Sequence, residues 1–279
     1  MPKNFKIAFF ELEPWEKEYF SKNLKNCKLK FIDNHLNENN VNEIKDIDAI
    51  GIFIYSVINK KILEKLPKLK LIVTLSTGFD HIDLNECRRR KITVCNVPHY
   101  GENTVAEHTF ALILNLTRMI HKAYERTTKG DFSIDGLRGI DLQGKTIGVV
   151  GAGSIGQHVT RIAKGFEMQV IAFDKFKNLK LAKKLGFKYV SFDNLLRKSD
   201  IITLHVTYNK STHHLIDKKA IDKMKKGVLI INTARGSIIK TSALLDGIKS
   251  GKIGGAGLDV LEGECFIKEE KQMLSKHFL

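Results

Sequence analysis

Along this chain, short apolar runs alternate with stretches in which apolar residues recur every three or four positions. Runs of the first kind read as strands buried on both faces, and stretches of the second as amphipathic helices. Their alternation over almost the whole length is the signature of parallel α/β sheets. The pattern predicts strands over 5–10, 28–32, 49–55, 69–75 and 92–97, with helices over 14–24 and 60–66 among them, and Pro98 closing the last strand. One long helix is expected over about 103–126, because Val105, Thr109, Leu112, Leu116 and Met119 fall on a single stripe. The polar, glycine-punctuated stretch 130–144 reads as a linker or loop. A second series follows, with strands over 146–150 and 169–173 around a helix at 154–166, then strands near 200–205, 228–232 and 255–260. The expectation is two tandem parallel-sheet domains, 1–100 and 101–279, bridged by the long helix.

Composition narrows the class. At 279 residues and 43% hydrophobic content the chain suits two globular domains and excludes a disordered one. No apolar run approaches the roughly 18 residues that cross a bilayer. The N-terminus lacks a signal peptide's apolar core and cleavage site, so the cytoplasm is the default address. Cys27, Cys87, Cys95 and Cys265 are scattered, with no CxxC pair and no histidine at ligand spacing, which argues for reduced, mostly buried thiols and against a metal. A net charge of +15 raises the question of nucleic acid. The lysines, however, spread through 60–70, 175–188 and 218–226 and alternate with leucine and isoleucine, as solvated helix faces do. The charge is better read as an attraction for small anionic substrates.

The candidate chemistry begins at Gly151-Ala152-Gly153-Ser154-Ile155-Gly156, a complete GxGxxG between a predicted strand and a predicted helix. In that context the first glycine makes the turn and the second admits a pyrophosphate to the backbone. The third seats the helix on the strand, and the helix N-terminus faces the phosphates. Asp174 directly follows the next strand, where a carboxylate accepts from the adenosine ribose hydroxyls and repels a 2′-phosphate. NAD is therefore the expected cofactor, although Lys175 and Lys177 soften that repulsion. Thr233-Ala234-Arg235-Gly236 follows the strand 228–232, which puts Arg235 at the carboxyl edge of the sheet, where its planar fork suits a carboxylate. A surface salt bridge is the competing reading. Asp259 and Glu264 follow the last strand; they are equally readable as carboxylates orienting a histidine or a nicotinamide, or as ordinary loop acids.

Together these residues resemble the D-isomer-specific 2-hydroxyacid dehydrogenases. The resemblance rests on Gly151–Gly156 with Asp174, on Asn232-Thr233-Ala234-Arg235-Gly236, and on Gly257-Leu258-Asp259-Val260 followed by Glu264. Ser76-Thr77-Gly78-Phe79-Asp80-His81-Ile82-Asp83 and Asn96-Val97-Pro98 leading to Ala106-Glu107-His108 look like the same family's substrate-domain loop and hinge. Val97-Pro98-His99-Tyr100 and Tyr55 make it most similar to the D-lactate dehydrogenase branch.

The resemblance implies a flavodoxin-like substrate domain followed by an NAD-binding Rossmann domain, a small 2-keto acid substrate with pyruvate first, and a homodimer. It implies that Arg235 binds the substrate carboxylate and polarises its carbonyl, and that Glu264 keeps a catalytic histidine protonated. Thr77 and Gly78 would hold the carboxylate through backbone amides, with Tyr55 and Tyr100 closing on a small side chain. Ser154 and Ile155 would touch the pyrophosphate and Asp174 the ribose. Val206, Thr207 and Thr212 would line the adenosine side, Thr233 and Ala234 would also contact cofactor, and Asp259 would meet the nicotinamide end.

Three departures from the family pattern stand out. Leu75 occupies a place where the family often has arginine, and Thr207 one where it often has proline. The third is that the family's acid/base histidine, in a proline-histidine segment beyond Glu264, is not matched before Leu279; His277 lacks the flanking proline and helix. On sequence grounds this predicts a C-terminally truncated member that is nearly inactive, slowed by the roughly 10²–10⁴ that loss of a general acid/base typically costs. The competing readings are a non-catalytic NAD-binding module of the corepressor kind and a glyoxylate or hydroxypyruvate reductase.

Overall fold

The computed structural model describes residues 4–264; His277 and Cys265 lie outside them. The chain divides into two compact units, the first ending at Gly101 and the second beginning at Glu102.

The first unit is a five-stranded, fully parallel sheet. Its strands are β1 (Phe5–Phe10), β2 (Cys27–Ile32), β3 (Ala49–Ile52), β4 (Leu71–Thr74) and β5 (Thr93–Cys95), in the order β2-β1-β3-β4-β5. Helices α1 (Pro14–Asn23), α2 (Lys60–Glu64) and α3 (Leu84–Arg89) make crossovers. The order is flavodoxin-like, as the resemblance implies. β3 is buried throughout and Phe10 and Ile50 are fully covered, which accounts for the unbroken apolar runs.

Strand β3 ends three residues earlier than its apolar run predicts. Glu11, in a left-handed backbone conformation (φ 62°), turns its carboxylate toward the segment after β3. There it accepts the N–H groups of Phe53 (3.2 Å) and Tyr55 (2.8 Å) and the Ser56 hydroxyl. Those donors are lost to the ladder, so the strand stops at Ile52.

The second unit carries six parallel strands: β6 (Thr146–Val150), β7 (Gln169–Phe173), β8 (Lys188–Tyr189), β9 (Ile201–Leu204), β10 (Val228–Asn232) and β11 (Ile253–Leu258). Their order, β11-β10-β9-β6-β7-β8, is that of a dinucleotide-binding Rossmann sheet, reversing direction between β6 and β9. Helices α6 (Ser154–Gly165), α7 (Leu179–Leu185), α8 (Phe192–Lys198), α9 (Lys218–Lys223) and α10 (Thr241–Lys249) cover it. Asn178, Ser191 and Asp217 cap α7, α8 and α9, each accepting the N–H three residues on.

The single long helix of the sequence analysis is two helices, α4 (Glu102–Thr117) and α5 (Ile120–Thr128), both in the second unit. No proline or glycine breaks it. The carbonyl of Thr117 accepts the N–H of Ile140 from the returning chain (3.0 Å), and Met119 turns left-handed (φ 53°). The Asn115 side chain accepts the His121 N–H that opens α5 (3.0 Å). At the return, Gly139 lies so close that a β-carbon would overlap the Thr117 carbonyl oxygen.

The buried centre of α4 is Ala106, Thr109, Phe110, Ile113 and Thr117. Of the predicted stripe Thr109 lies in that centre, while Val105, Leu112 and Leu116 form a half-buried flank, where Leu112 and Leu116 lie over Gly255 and Gly257 of β11. Residues 130–144 form no helix or strand, in line with the loop reading. The thiols are less buried than expected, with Cys87 covered, Cys27 half-buried and Cys95 exposed, because the latter two sit on the sheet's edge strands. Among the described residues no helix is long and apolar enough to cross a membrane, and no cluster of ligating side chains is placed to hold a metal ion.

Candidate functional site

The glycine-rich turn leaves β6 at the point where the sheet order reverses. Gly151 has φ 97°, and a β-carbon there would lie 2.5 Å from the His205 carbonyl oxygen, so only glycine makes this turn. Beneath it, a β-carbon at Gly156 would overlap the Gly151 carbonyl oxygen, which sets how closely α6 approaches the strand. Gly153, by contrast, is exposed, with no atom within 4 Å of its β-carbon position. Open space therefore lies directly over the backbone at the N-terminus of a twelve-residue helix, a cradle of the shape and polarity a pyrophosphate needs.

At the end of the neighbouring β7, Asp174 accepts the Ala152 N–H (2.7 Å) through one carboxylate oxygen and the Phe176 N–H (2.8 Å) through the other. The acid is thus held against the turn where a ribose would lie. These residues fit a dinucleotide. Ser154 is exposed and Ile155 half-buried at the start of α6. On the other side of the reversal, Val206 and Thr207 follow β9, and Thr212 folds the loop back by donating to the Thr207 carbonyl (2.8 Å).

Arg235 stands on the same carboxyl edge, with only β9 between its strand and that of the glycine turn. Its placement comes from Asn232, fully buried at the end of β10. The Asn232 side chain accepts the Ala234 N–H (3.1 Å) and donates to the Arg235 carbonyl (2.9 Å), forming a tight Asx-type turn that lifts the arginine out of the sheet. The Arg235 guanidinium donates to the Ala234 carbonyl (2.9 Å), and the Thr233 hydroxyl lies 3.1 Å from that of Thr109 on α4. After β11, Asp259 lies 3.3 Å from His108 Nε2, and Glu264 accepts the Leu261 N–H (3.0 Å) within its own turn.

In the first unit, Ser76 is buried, and the Thr77 hydroxyl donates to the Val97 carbonyl (3.1 Å) while Asn96 donates to the Thr77 carbonyl (2.8 Å). The Thr77 and Gly78 N–H groups make no backbone–backbone hydrogen bond among the described residues. Tyr55 and Tyr100 are exposed.

The family model for the D-isomer specific 2-hydroxyacid dehydrogenase NAD binding domain matches residues 110–278. The chain belongs to the D-isomer-specific 2-hydroxyacid dehydrogenases. It is 42% identical to a 2-hydroxyacid dehydrogenase homolog of Haemophilus influenzae, over 93% of this chain and 79% of that protein. To the D-lactate dehydrogenase of Escherichia coli it is 36% identical, over 93% and 80%. The crystal structure of the Aquifex aeolicus D-lactate dehydrogenase with NAD and lactic acid superposes with a TM-score of 0.90 at 39% identity, covering 96% of this chain and 80% of that one. Family membership makes the protein an oxidoreductase of 2-hydroxy acids whose second unit binds NAD.

For a 2-hydroxyacid dehydrogenase, three features of the site were not visible in the sequence. His205 lies beneath the glycine turn with Thr203 Oγ1 2.8 Å from its Nε2 and no partner for its buried Nδ1 among the described residues. Burial pushes its imidazole down to about 3, so it stays neutral at physiological pH. The second is the His108–Asp259 pair, and the third joins His214 to Glu262 across 48 residues of sequence. None of these pairings leaves a spacing signal. The role of Asn232 does: an asparagine closing an apolar strand before a small-residue turn marks an Asx turn.

Proposed function

We propose that this chain reduces a small 2-keto acid, pyruvate first, to the D-2-hydroxy acid with NADH, and that it does so in the cytoplasm as a homodimer. The observation that carries this reading is the arrangement on the second sheet, where the dinucleotide cradle and the Arg235 guanidinium share one carboxyl edge, a strand apart. Bound NADH supplies the hydride. Arg235 takes the substrate carboxylate in a bidentate grip and draws electron density from the carbonyl. Glu264 would hold charged an acid/base imidazolium that delivers the proton, a role assigned to none of the described histidines, and Asp259 would orient the carboxamide end of the nicotinamide. Ser154 and Ile155 serve the pyrophosphate, Asp174 the ribose, and Val206, Thr207 and Thr212 the adenosine side, with Thr233 and Ala234 beside them. In the first unit, whose residues 1–100 make it the substrate domain, Thr77 and Gly78 offer N–H groups to a carboxylate, and Tyr55 and Tyr100 select a short side chain.

Support for the dimer comes from exposed apolar side chains concentrated in one arm of the second unit: Ile120, Tyr124, Phe132 (79% exposed) and Ile134 (82%).

The test is loss of NADH absorbance with pyruvate, glyoxylate and hydroxypyruvate. The expected result is a kcat/KM for pyruvate about tenfold above the other two, the discrimination a small apolar pocket delivers. The ratio carries the substrate reading, and NADH binding without pyruvate-dependent turnover at any enzyme concentration overturns the enzyme reading.

A further inference from the structure

Three loops of the second unit follow adjacent strands, and one cluster of side chains joins all three. After β9, His214 sits in a left-handed conformation (φ 51°) with its ring stacked on that of His213 at 3.8 Å. Its N–H donates to the Ser237 carbonyl (2.9 Å) in the loop after β10, and its Nε2 meets Glu262 Oε1 (2.5 Å) in the turn after β11. The other oxygen of Glu262 accepts both the N–H (3.1 Å) and the hydroxyl (2.8 Å) of Thr241, where the β10 loop enters α10. The bridge Ile216–Ile239 runs alongside. Gly236, next to Arg235, lies directly on the Leu261–Glu262 backbone, where any β-carbon would overlap it. Glu262 is only 29% exposed, so the link is partly desolvated rather than a surface pair.

We propose that His214 and Glu262 are positioning residues, a latch fixing the turn that carries Glu264 against the loop that carries Arg235. The inference rests on the roles given to those two residues above. Neither His214 nor Glu262 is assigned to substrate or cofactor, yet together they tie the turn leading to Glu264 to the loop that follows Arg235. Displacement of a positioned group by about 1 Å costs up to 10²-fold in an oriented reaction.

The test compares wild type with Glu262→Gln and His214→Gln. NADH affinity is read by fluorescence, oxamate affinity by quenching of the NADH complex, and loop opening by amide hydrogen exchange. In both variants exchange is expected to rise together in 206–216, 233–241 and 259–264. Oxamate affinity is expected to fall about tenfold while NADH affinity changes less than threefold. Exchange that rises in only one of the three segments, or oxamate affinity that falls no more than NADH affinity, overturns the latch. Wild type that binds neither NADH nor oxamate refutes the dehydrogenase roles instead, and the exchange pattern still decides the latch.

Discussion

The exposed Gly153 and the buried Gly156 of the glycine motif separate binding from folding, which makes Gly153→Ala an informative substitution. Gly153 is the N-cap of α6 with φ −70° and ψ −163°, a backbone open to alanine, and nothing lies within 4 Å of the added methyl. Alanine restricts the unfolded chain, a gain of about 0.4–1 kcal/mol. It is a poorer N-cap than glycine by a similar amount, about 0.5–1 kcal/mol. The two offset, so stability should move by less than about 1 kcal/mol and the melting temperature by less than about 4 °C for a unit of this size. The methyl nevertheless fills the space through which a pyrophosphate reaches the backbone. NADH affinity should therefore fall at least about tenfold, or 1.4 kcal/mol.

Gly156→Ala is the counterpart. Its methyl collides with the Gly151 carbonyl inside the folded protein. Forcing α6 outward costs about 1–3 kcal/mol, and the melting temperature should drop by roughly 2–12 °C. Fluorescence titration with NADH and a thermal melt on both variants decide the matter. Wild-type affinity in Gly153→Ala, or a melting loss as large as that of Gly156→Ala, would refute the placement of the diphosphate over Gly153.

Four further outcomes follow from the same geometry. Arg235→Lys keeps the charge but loses the fork, so kcat/KM for pyruvate should fall by about 10–150-fold, the 1.4–3 kcal/mol of a charge-assisted pair, with NADH affinity unchanged; an equal loss in NADH affinity contradicts it. Asp174→Ala removes the carboxylate proposed to repel a 2′-phosphate, and the ratio of NADPH to NADH affinity should rise about tenfold or more by competitive titration. Glu262 is held down to about 2 from 4.5, first by its hydrogen bond to His214 and then by the Thr241 N–H. A depressed carboxyl contributes stability above its unfolded value that is lost as pH falls toward the folded one. The difference in urea midpoint between wild type and Glu262→Gln should accordingly be full above pH 4.5 and vanish near pH 2. Ile134→Glu should convert the proposed dimer to monomer in light scattering after gel filtration, without loss of NADH binding.

Much of the architecture was legible because both sheets are buried on both faces, which writes each central strand as an apolar run; β1, β6, β7 and β10 fall where those runs do. The edge element β8, two residues long, has no run to reveal it. Helices α7 and α9 fall in the lysine-rich stretches 175–188 and 218–226 that read as solvated helix faces, whereas α8 is announced only by its cap at Ser191, which periodicity alone passed over. The break between α4 and α5 was illegible for a different reason. It is imposed by Ile140, over twenty residues downstream, competing for the Thr117 carbonyl. In the site, motifs found what sequence-local geometry builds: the glycine turn, Asp174 and Arg235. They missed what distant segments build, namely His108 against Asp259, His214 against Glu262, and the carboxylate of Glu11 on residues 53–56.

That same bond between Ile140 and Thr117 makes the intervening arm a detachable module. The chain leaves the nucleotide-binding body and rejoins it at nearly one point, so the arm's ends are already closed together. For such an appendage, doubling the length adds only about 0.6 kcal/mol of closure entropy. Its tip can be rewritten, extended or trimmed by evolution without shifting the register of any strand. The exposed apolar tip is thereby inherited separately from the nucleotide-binding sheet that carries it.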